Sequence, residues 1–281
     1  MTVFAFGKGF VFVANTRATS STTHHLLLPH ADAIFYRPVF GKHFTLPQIA
    51  RRAKAMSGLD LGALFTFGIV REPLSWLHSW FRFRRREELK RVSSQWHSNL
   101  VPEEVRFPEF LEEACGSNPR AFARIEHQSN YFRDTAGRVA VNYIAVYSDL
   151  HADCRRLSEF PPLSLLGGLE KMRMNASPDQ RSPSVKIAWP DLSQRMALAF
   201  EDDFELFERA ARAEFRDLSS IAPVAEFRLR LDDRERREDV MSRIMLHFSL
   251  GEREAVARLM PLLDIESRSD EHIKWICKQT N

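Results

Sequence analysis

Apolar positions along this chain alternate between short unbroken runs and longer stripes at helical spacing. Residues 9–15 (GFVFVAN) are a run of β-branched and aromatic side chains, a composition suited to a strand buried on both faces. A polar stretch, residues 16–23, leads into a predicted helix over 24–28, and residues 33–36 (AIFY) predict a second strand. Ile49, Ala50, Ala53 and Met56 repeat at helical spacing within residues 46–56, and Gly58 is placed to end that helix. Residues 64–70 (LFTFGIV) read as another buried strand, closed by Arg71. Pro73 suits a first helical turn, and Leu74, Leu77, Trp80 and Phe81 carry the helix on. Strand, helix, strand, helix in that order predicts an α/β protein with a parallel sheet and right-handed crossovers.

Further along, the pattern predicts a helix over 108–115, a strand over 139–147 and a helix over 150–160. Residues 172–184 (MRMNASPDQRSPS) have the Asn, Ser, Pro and Asp content of an ordered loop. Helical spacing returns over 190–215, with Met196, Phe200, Phe204 and Phe207 on one side. Beyond about residue 221, alternating charge surrounds Met241, Ile244, Met245 and Phe248; Gly251 interrupts, and residues 255–263 predict a last helix. The expected organisation is one α/β domain over residues 1–220 and a helical extension over 221–281, with no internal repeat.

Composition narrows the function classes. With 281 residues, 40 Lys plus Arg and 37 Asp plus Glu, the net charge is only +3, which by itself does not call for a nucleic-acid partner. Cys115, Cys154 and Cys277 are odd in number and widely spaced, so neither a disulfide framework nor a metal module is expected. No apolar run approaches the roughly 20 residues that span a bilayer. The opening residues also lack the charged, apolar and small-residue progression of a signal peptide. A cytoplasmic protein without a membrane span is expected.

Two polar segments directly follow buried strands, where the ligand crevice of a parallel sheet lies. The first runs Asn15-Thr16-Arg17-Ala18-Thr19-Ser20-Ser21-Thr22 into a helix. Successive amides at a helix N-terminus, the hydroxyls of Ser21 and Thr22, and the charge of Arg17 can together bind a phosphate. The plain alternative is an ordinary Ser/Thr helix cap. It is not a Walker A loop, whose glycines and Lys-Ser/Thr pair are missing. The second segment is Arg71-Glu72-Pro73 with Ser79 further on; positions 71, 75 and 79 are spaced by four and share a helix face. Arg71 and Ser79 could converge on one anion, the plain alternative being an arginine bonded to a nearby carboxylate such as Glu72. Two anion sites at adjacent strand ends suggest a ligand with two separated phosphate-like groups.

The segment FVFVANTRATSST resembles the 5′-phosphosulfate-binding strand, loop and helix of the sulfotransferase superfamily. FGIVREPLSWLHSWFRF resembles its 3′-phosphate motif, Arg-x-Pro with a Ser eight residues after the Arg. MNASPDQRSPS, followed by Asp203-Phe204-Glu205-Leu206-Phe207, resembles the family's late adenosine-side loop and closing helix. The likeness covers roughly residues 9–215. It implies a P-loop NTPase-like, three-layer α/β fold with a mostly parallel sheet, and 3′-phosphoadenosine 5′-phosphosulfate (PAPS) as co-substrate, with no metal. On the matching positions it implies that Arg17 faces the transferring sulfuryl group, where relatives usually carry Lys. Ala18, Thr19, Ser20, Ser21 and Thr22 would bind the 5′-phosphate, and Arg71 and Ser79 the 3′-phosphate. A guanidinium neutralises developing charge but does not readily release a proton, so Arg17 is expected to act electrostatically.

Transfer to an alcohol also needs a base. Gly41-Lys42-His43 resembles the His-bearing segment of the uronyl and heparan 2-O-sulfotransferase branch, which makes His43 the expected base. His24, His25, His78, His127 and Glu72 are the alternatives; His24 and His25 read better as a capping or packing pair. The run Arg82, Arg84, Arg85, Arg86, Lys90 and Arg91 reads either as a solvated helix face, with Glu87 and Arg91 paired, or as a funnel for an anionic acceptor. Trp76, Trp80, Phe81 and Phe83 read as core before sugar platform. Asp149, after Tyr147-Ser148, is a weaker match to an acidic residue of the family. The expected reaction is sulfation of a carbohydrate or other hydroxyl-bearing acceptor, anionic ones included. The rivals are a nucleotide-dependent phosphotransferase and a non-catalytic nucleotide-binding protein.

Overall fold

The computed structural model describes residues 2–35, 43–86, 99–171, 190–219, 229–231, 233–249 and 252–262. Its centre is a five-stranded sheet. In chain order the strands are β1 (Thr2–Ala5), β2 (Phe10–Val13), β3 (Ala33–Phe35), β4 (Phe65–Val70) and β5 (Tyr143–Val146), lying side by side as β3-β1-β2-β4-β5. The helices are α1 (Ser20–Leu27), α2 (Leu46–Ser57), α3 (Pro73–Phe83), α4 (Phe107–Ala114), α5 (Leu150–Ser158), α6 (Pro190–Ala199), α7 (Glu201–Ala211), α8 (Asp233–Ser249) and α9 (Arg253–Leu259).

The sheet is mixed, which corrects the expected mostly parallel one. β2 runs parallel to β4 and β4 to β5, but β1 is antiparallel to both β2 and β3. The cause is local. β1, which the hydrophobic pattern did not single out, returns into β2 through a single 3-10 turn, Phe6–Lys8, with Gly9 at φ 76°. A connection that short can only make an antiparallel pair. The AIFY strand then pairs with β1 and lies at the sheet edge, with two strands between it and β4; Tyr36 falls outside the described residues.

All strand residues are buried, and helices cover both faces. Phe10, Phe12, Phe65, Phe67, Tyr143 and Ala145 pack on one face against Leu27 of α1, Leu157 of α5 and a 3-10 segment, Pro161–Lys171. Val11, Val13, Val70, Ile144 and Val146 pack on the other against Ile49, Ala53 and Met56 of α2 and Leu206 and Ala210 of α7. The alternation of neighbouring residues between faces follows from the two-residue repeat of a strand. Gly68, midway along β4, admits the Phe132 ring: a Cβ there would lie 2.3 Å from Phe132 Cε1. The segment carrying Phe132 therefore lies directly on the strand.

The expected single helix over 190–215 is two. Phe200, at φ −119° and ψ 28°, separates them, and Glu201, Asp202 and Asp203 then place negative charge on the first turn of α7. Trp76, Leu77 and Phe81 of α3 join Phe110, Leu111, Leu192, Met196 and Phe200 in a separate helical core. The C-terminal helices form as expected, and the expected boundary near residue 220 lies outside the described residues. α8 docks on the β3 edge, where Asp239 Oδ1 accepts from the Ile34 amide at 2.7 Å. Arg243 donates from Nε to Asp239 at 2.9 Å and from Nη2 to the Ala31 carbonyl at 3.0 Å. Among the described residues, no helix is long and apolar enough to cross a membrane.

Burial holds the Asp239 carboxyl above the usual aspartate range, against the pull of Arg243 and the Ile34 amide, and Asp32 adds to the rise. A raised native pKa makes this group's contribution to stability greatest below about pH 4, and the contribution is lost as pH rises through the raised value. Asp239→Asn removes that titration. Urea unfolding is expected to show the variant gaining on wild type as pH rises above about 4; parallel pH profiles would contradict this.

Candidate anion-binding site

The carboxyl ends of β2 and β4 lie side by side, because these strands pair in parallel from Phe10↔Phe65 to Val13↔Gly68. Each leads at once into a loop and a helix. From β2 the chain runs through residues 14–19 into α1, and from β4 through Arg71 and Glu72 into α3. The two polar segments singled out in the sequence are thus neighbours in space. The Trp76 indole N–H, on α3, donates to the Thr16 carbonyl at 2.9 Å and ties them together.

The loop before α1 is strained. Arg17 and Thr19 have left-handed φ values of 57° and 53° without being glycine, an arrangement that costs roughly 1–2 kcal/mol per residue. Thr19 stands at the N-cap position of α1 yet makes no side-chain capping bond, and its hydroxyl oxygen is buried without a hydrogen-bond partner. The ordinary-cap reading of this segment therefore does not describe Thr19. The backbone of Ser20 and Ser21 forms the first turn of α1, Ala18 and Thr22 are buried there, and Thr23 donates its hydroxyl back to the Thr19 carbonyl at 3.2 Å.

Two guanidiniums meet at this crevice. Arg17 donates from Nε to Ser79 Oγ at 3.2 Å and lies 4.5 Å over the Phe83 ring. Arg71 donates from Nε to Ser75 Oγ at 2.8 Å and lies 4.6 Å over the Tyr147 ring. Ser79 therefore serves Arg17, and the hydroxyl beside Arg71 is Ser75, one turn earlier on the face that positions 71, 75 and 79 share. Among the described residues neither guanidinium lies within 4.0 Å of a carboxylate; both are held by neutral hydroxyls and aromatic faces. Burial pushes Arg17 down to about 10, and the charges of Arg86, Arg71 and Arg82 add to the fall. Arg71 is also lowered, first by burial and then by Arg82, against Tyr147 and Glu72. Both remain cations at neutral pH.

Glu72 does not bond Arg71. Its two carboxylate oxygens accept from the amides of Leu74 at 3.0 Å and Ser75 at 2.6 Å and cap α3, so it is no rival base. The basic run also divides. Arg84 is buried and donates to the carbonyls of Ala121, Phe122 and Arg124, which makes it neither a solvated face nor part of a funnel. Arg85 donates to the Val105 and Glu103 carbonyls. Arg82 and Arg86 are the members whose charge is felt at Arg17. Glu87, Lys90 and Arg91 lie outside the described residues. Trp76 is core, as expected, while Phe83 supports guanidiniums: Arg86 lies 5.7 Å over the same ring as Arg17.

His43 reaches the end of β2, its Nδ1 2.8 Å from the Ala14 carbonyl and its ring edge-on to Tyr131. A carbonyl only accepts, so Nδ1 carries a proton, and in the neutral ring Nε2 holds the lone pair. Gly41 and Lys42, and the loop over 172–184, lie outside the described residues. His24 is a packing residue, edge-on to Phe12 at 5.2 Å. His78 packs against Phe107 at 4.9 Å, and burial followed by Arg82 and Arg71 lowers its pKa. His127 stacks on Phe200, 3.7 Å from Asp203. Asp149 is exposed beyond β5.

Sequence reasoning missed Gln128. It is buried, and its Oε1 accepts from Asn15 Nδ2 at 2.7 Å and from the Arg71 amide at 3.1 Å. Nothing in an irregular stretch with one glutamine signals this role; the buried Asn15 at a strand end, which needs a partner, is the only trace.

Thr19→Gly removes a β-branched residue from a left-handed conformation. It is expected to raise unfolding stability by about 0.5–1 kcal/mol in urea titration; a loss of stability would show that the hydroxyl outweighs the backbone strain. No family model, curated protein or solved structure matches this chain.

Proposed function

We propose that the chain is a sulfotransferase that moves a sulfuryl group from PAPS to a hydroxyl of a carbohydrate-like acceptor, on a P-loop NTPase-like α/β fold. The observation that carries the reading is the pair of partly buried guanidiniums, Arg17 and Arg71, at the ends of adjacent parallel strands, with no carboxylate partner among the described residues. Removing a cation from water without a counter-charge is costly, so such a pair favours an anionic ligand with two charged groups. The buried, unpartnered Thr19 hydroxyl and the amides opening α1 fit a phosphate beside Arg17. Arg71 fits a second phosphate, and Tyr147 limits how it turns.

The donor supplies an activated sulfuryl group and a phosphate leaving group. Arg17 neutralises charge on the bridging oxygen as the sulfur–oxygen bond to that phosphate breaks. Because it stays a guanidinium at neutral pH, it stabilises charge without giving up a proton. The Nε2 lone pair of His43 takes the acceptor's hydroxyl proton as the new oxygen–sulfur bond forms. Ser79 aligns Arg17, whereas the family motif has it on the 3′-phosphate beside Arg71. Arg82 and Arg86 add cationic charge beyond what two phosphates need, which favours an acceptor that is itself anionic.

Thermal shifts discriminate the rivals. Adenosine 3′,5′-bisphosphate is expected to raise the Tm well above adenosine alone or ATP with magnesium. A preference for ATP with magnesium would favour a phosphotransferase, and no labelled-sulfate transfer to any acceptor would leave a binding protein. Arg71→Ala is expected to weaken bisphosphate binding by about 1–3 kcal/mol by calorimetry, the range for losing a charged hydrogen bond; unchanged affinity removes the 3′-phosphate grip. His43→Ala is expected to abolish turnover with donor affinity near wild type, and retained turnover moves the base elsewhere.

A further inference from the structure

The hydrogen-bonded ladder between β2 and β4 stops at Val13↔Gly68. Both grips lie beyond it, Arg17 four residues past Val13 and Arg71 three past Gly68. Backbone pairing between these strands therefore does not fix how far apart the two guanidiniums stand. Side chains take over there. Asn15 Nδ2 donates to the Ile69 carbonyl at 3.2 Å and to Gln128 Oε1 at 2.7 Å. Gln128 closes the connection on the other side, accepting from the Arg71 amide at 3.1 Å and donating from Nε2 to the Arg71 carbonyl at 2.9 Å. One buried amide thus grips the residue-71 backbone at both its N–H and its C=O while holding the end of β2.

Gln128 is itself fixed from below. Asp203, on α7, accepts from the Gln128 amide at 3.1 Å and the Ser129 amide at 2.8 Å. Phe132, four residues on, occupies the space that Gly68 leaves. A carboxylate and a ring anchor the segment, and the amide side chain transmits that fixed position to both strand ends. Asn15 Oδ1 is left without a partner, but the bonds that Gln128 makes fix where the two strand ends stand.

We propose that Gln128 is a positioning residue that fixes the spacing of the Arg17 and Arg71 grips, so that they bind one bisphosphate as a chelate and not two anions independently. The proposal rests on the sulfotransferase reading for the identity of the ligand. Its signature is specific. Two linked groups bind far more tightly than either alone only while the sites stand at the matching separation. Loosening the clasp should erode that advantage and leave each single grip intact.

The test is calorimetry on the full chain with adenosine 3′,5′-bisphosphate, adenosine 5′-phosphate and adenosine 3′-phosphate. Gln128→Met keeps the volume and removes the amide. It is expected to weaken bisphosphate binding about tenfold or more, with each monophosphate within about threefold of wild type. Asp203→Asn, which loosens the backbone anchor of Gln128 and Ser129 and also alters the contact with His127, is expected to give the same pattern more weakly, and it carries the test if the first variant does not fold. Equal losses for all three ligands would make Gln128 merely structural, and no loss for any would make it dispensable; either overturns the clasp. A wild-type chain that binds the bisphosphate no better than the monophosphates overturns the sulfotransferase reading, and the clasp with it.

Discussion

Two like charges partly out of water, neither paired with a carboxylate among the described residues, set the terms for the rest of this molecule. Arg71 lowers the affinity of Arg17 for a proton, and Arg82 lowers that of both. Such an arrangement opposes folding, since each cation loses hydration and gains a repulsive neighbour. The chain meets the cost with neutral partners: Ser79 and Phe83 for Arg17, Ser75 and Tyr147 for Arg71. These hold direction without cancelling charge, so the electrostatic attraction remains available to a ligand.

Other unfavourable features of the fold lie in the same place. Two left-handed residues that are not glycine, a helix start without a capping bond from Thr19 and a buried unpartnered hydroxyl all lie within residues 16–20. Strain persists where the surroundings over-determine it. Here the surroundings are the parallel β2–β4 pair below, the Trp76 bond to Thr16 alongside, and the Gln128–Asn15 connection behind. Much of the remainder is regular: continuous apolar strands, helices on both faces, and α2 opened by a Thr45–Gln48 capping box and closed by Gly58.

Legibility in the sequence followed the range of the interactions. Local signals sufficed for β2, β4, α2 and α3, whose apolar spacing and end residues act within one or two turns. They also placed Arg17, Arg71 and Ser79 at the mouth of one crevice, since residues at the ends of adjacent strands converge whatever lies between. Pairing was less legible. β1 is four residues at the start of the chain, and it is seen as a strand only through its partners, yet its insertion makes the sheet mixed. Side-chain partners were least legible: Arg17 with Ser79, Arg71 with Ser75, and Gln128 with Asn15 are separated by 62, 4 and 113 positions. Arg84 shows the same limit, for its place in a basic run gave no sign that three carbonyls 37 to 40 residues away would bury it.

In the proposed function one crevice holds both ends of one doubly charged nucleotide. A crystal structure with adenosine 3′,5′-bisphosphate tests that most directly. It should place one phosphate against Arg17 and the first turn of α1 and the other against Arg71, with the ligand spanning the ends of β2 and β4. A nucleotide bound elsewhere, or one phosphate held while the other points into solvent away from Arg71, would contradict it.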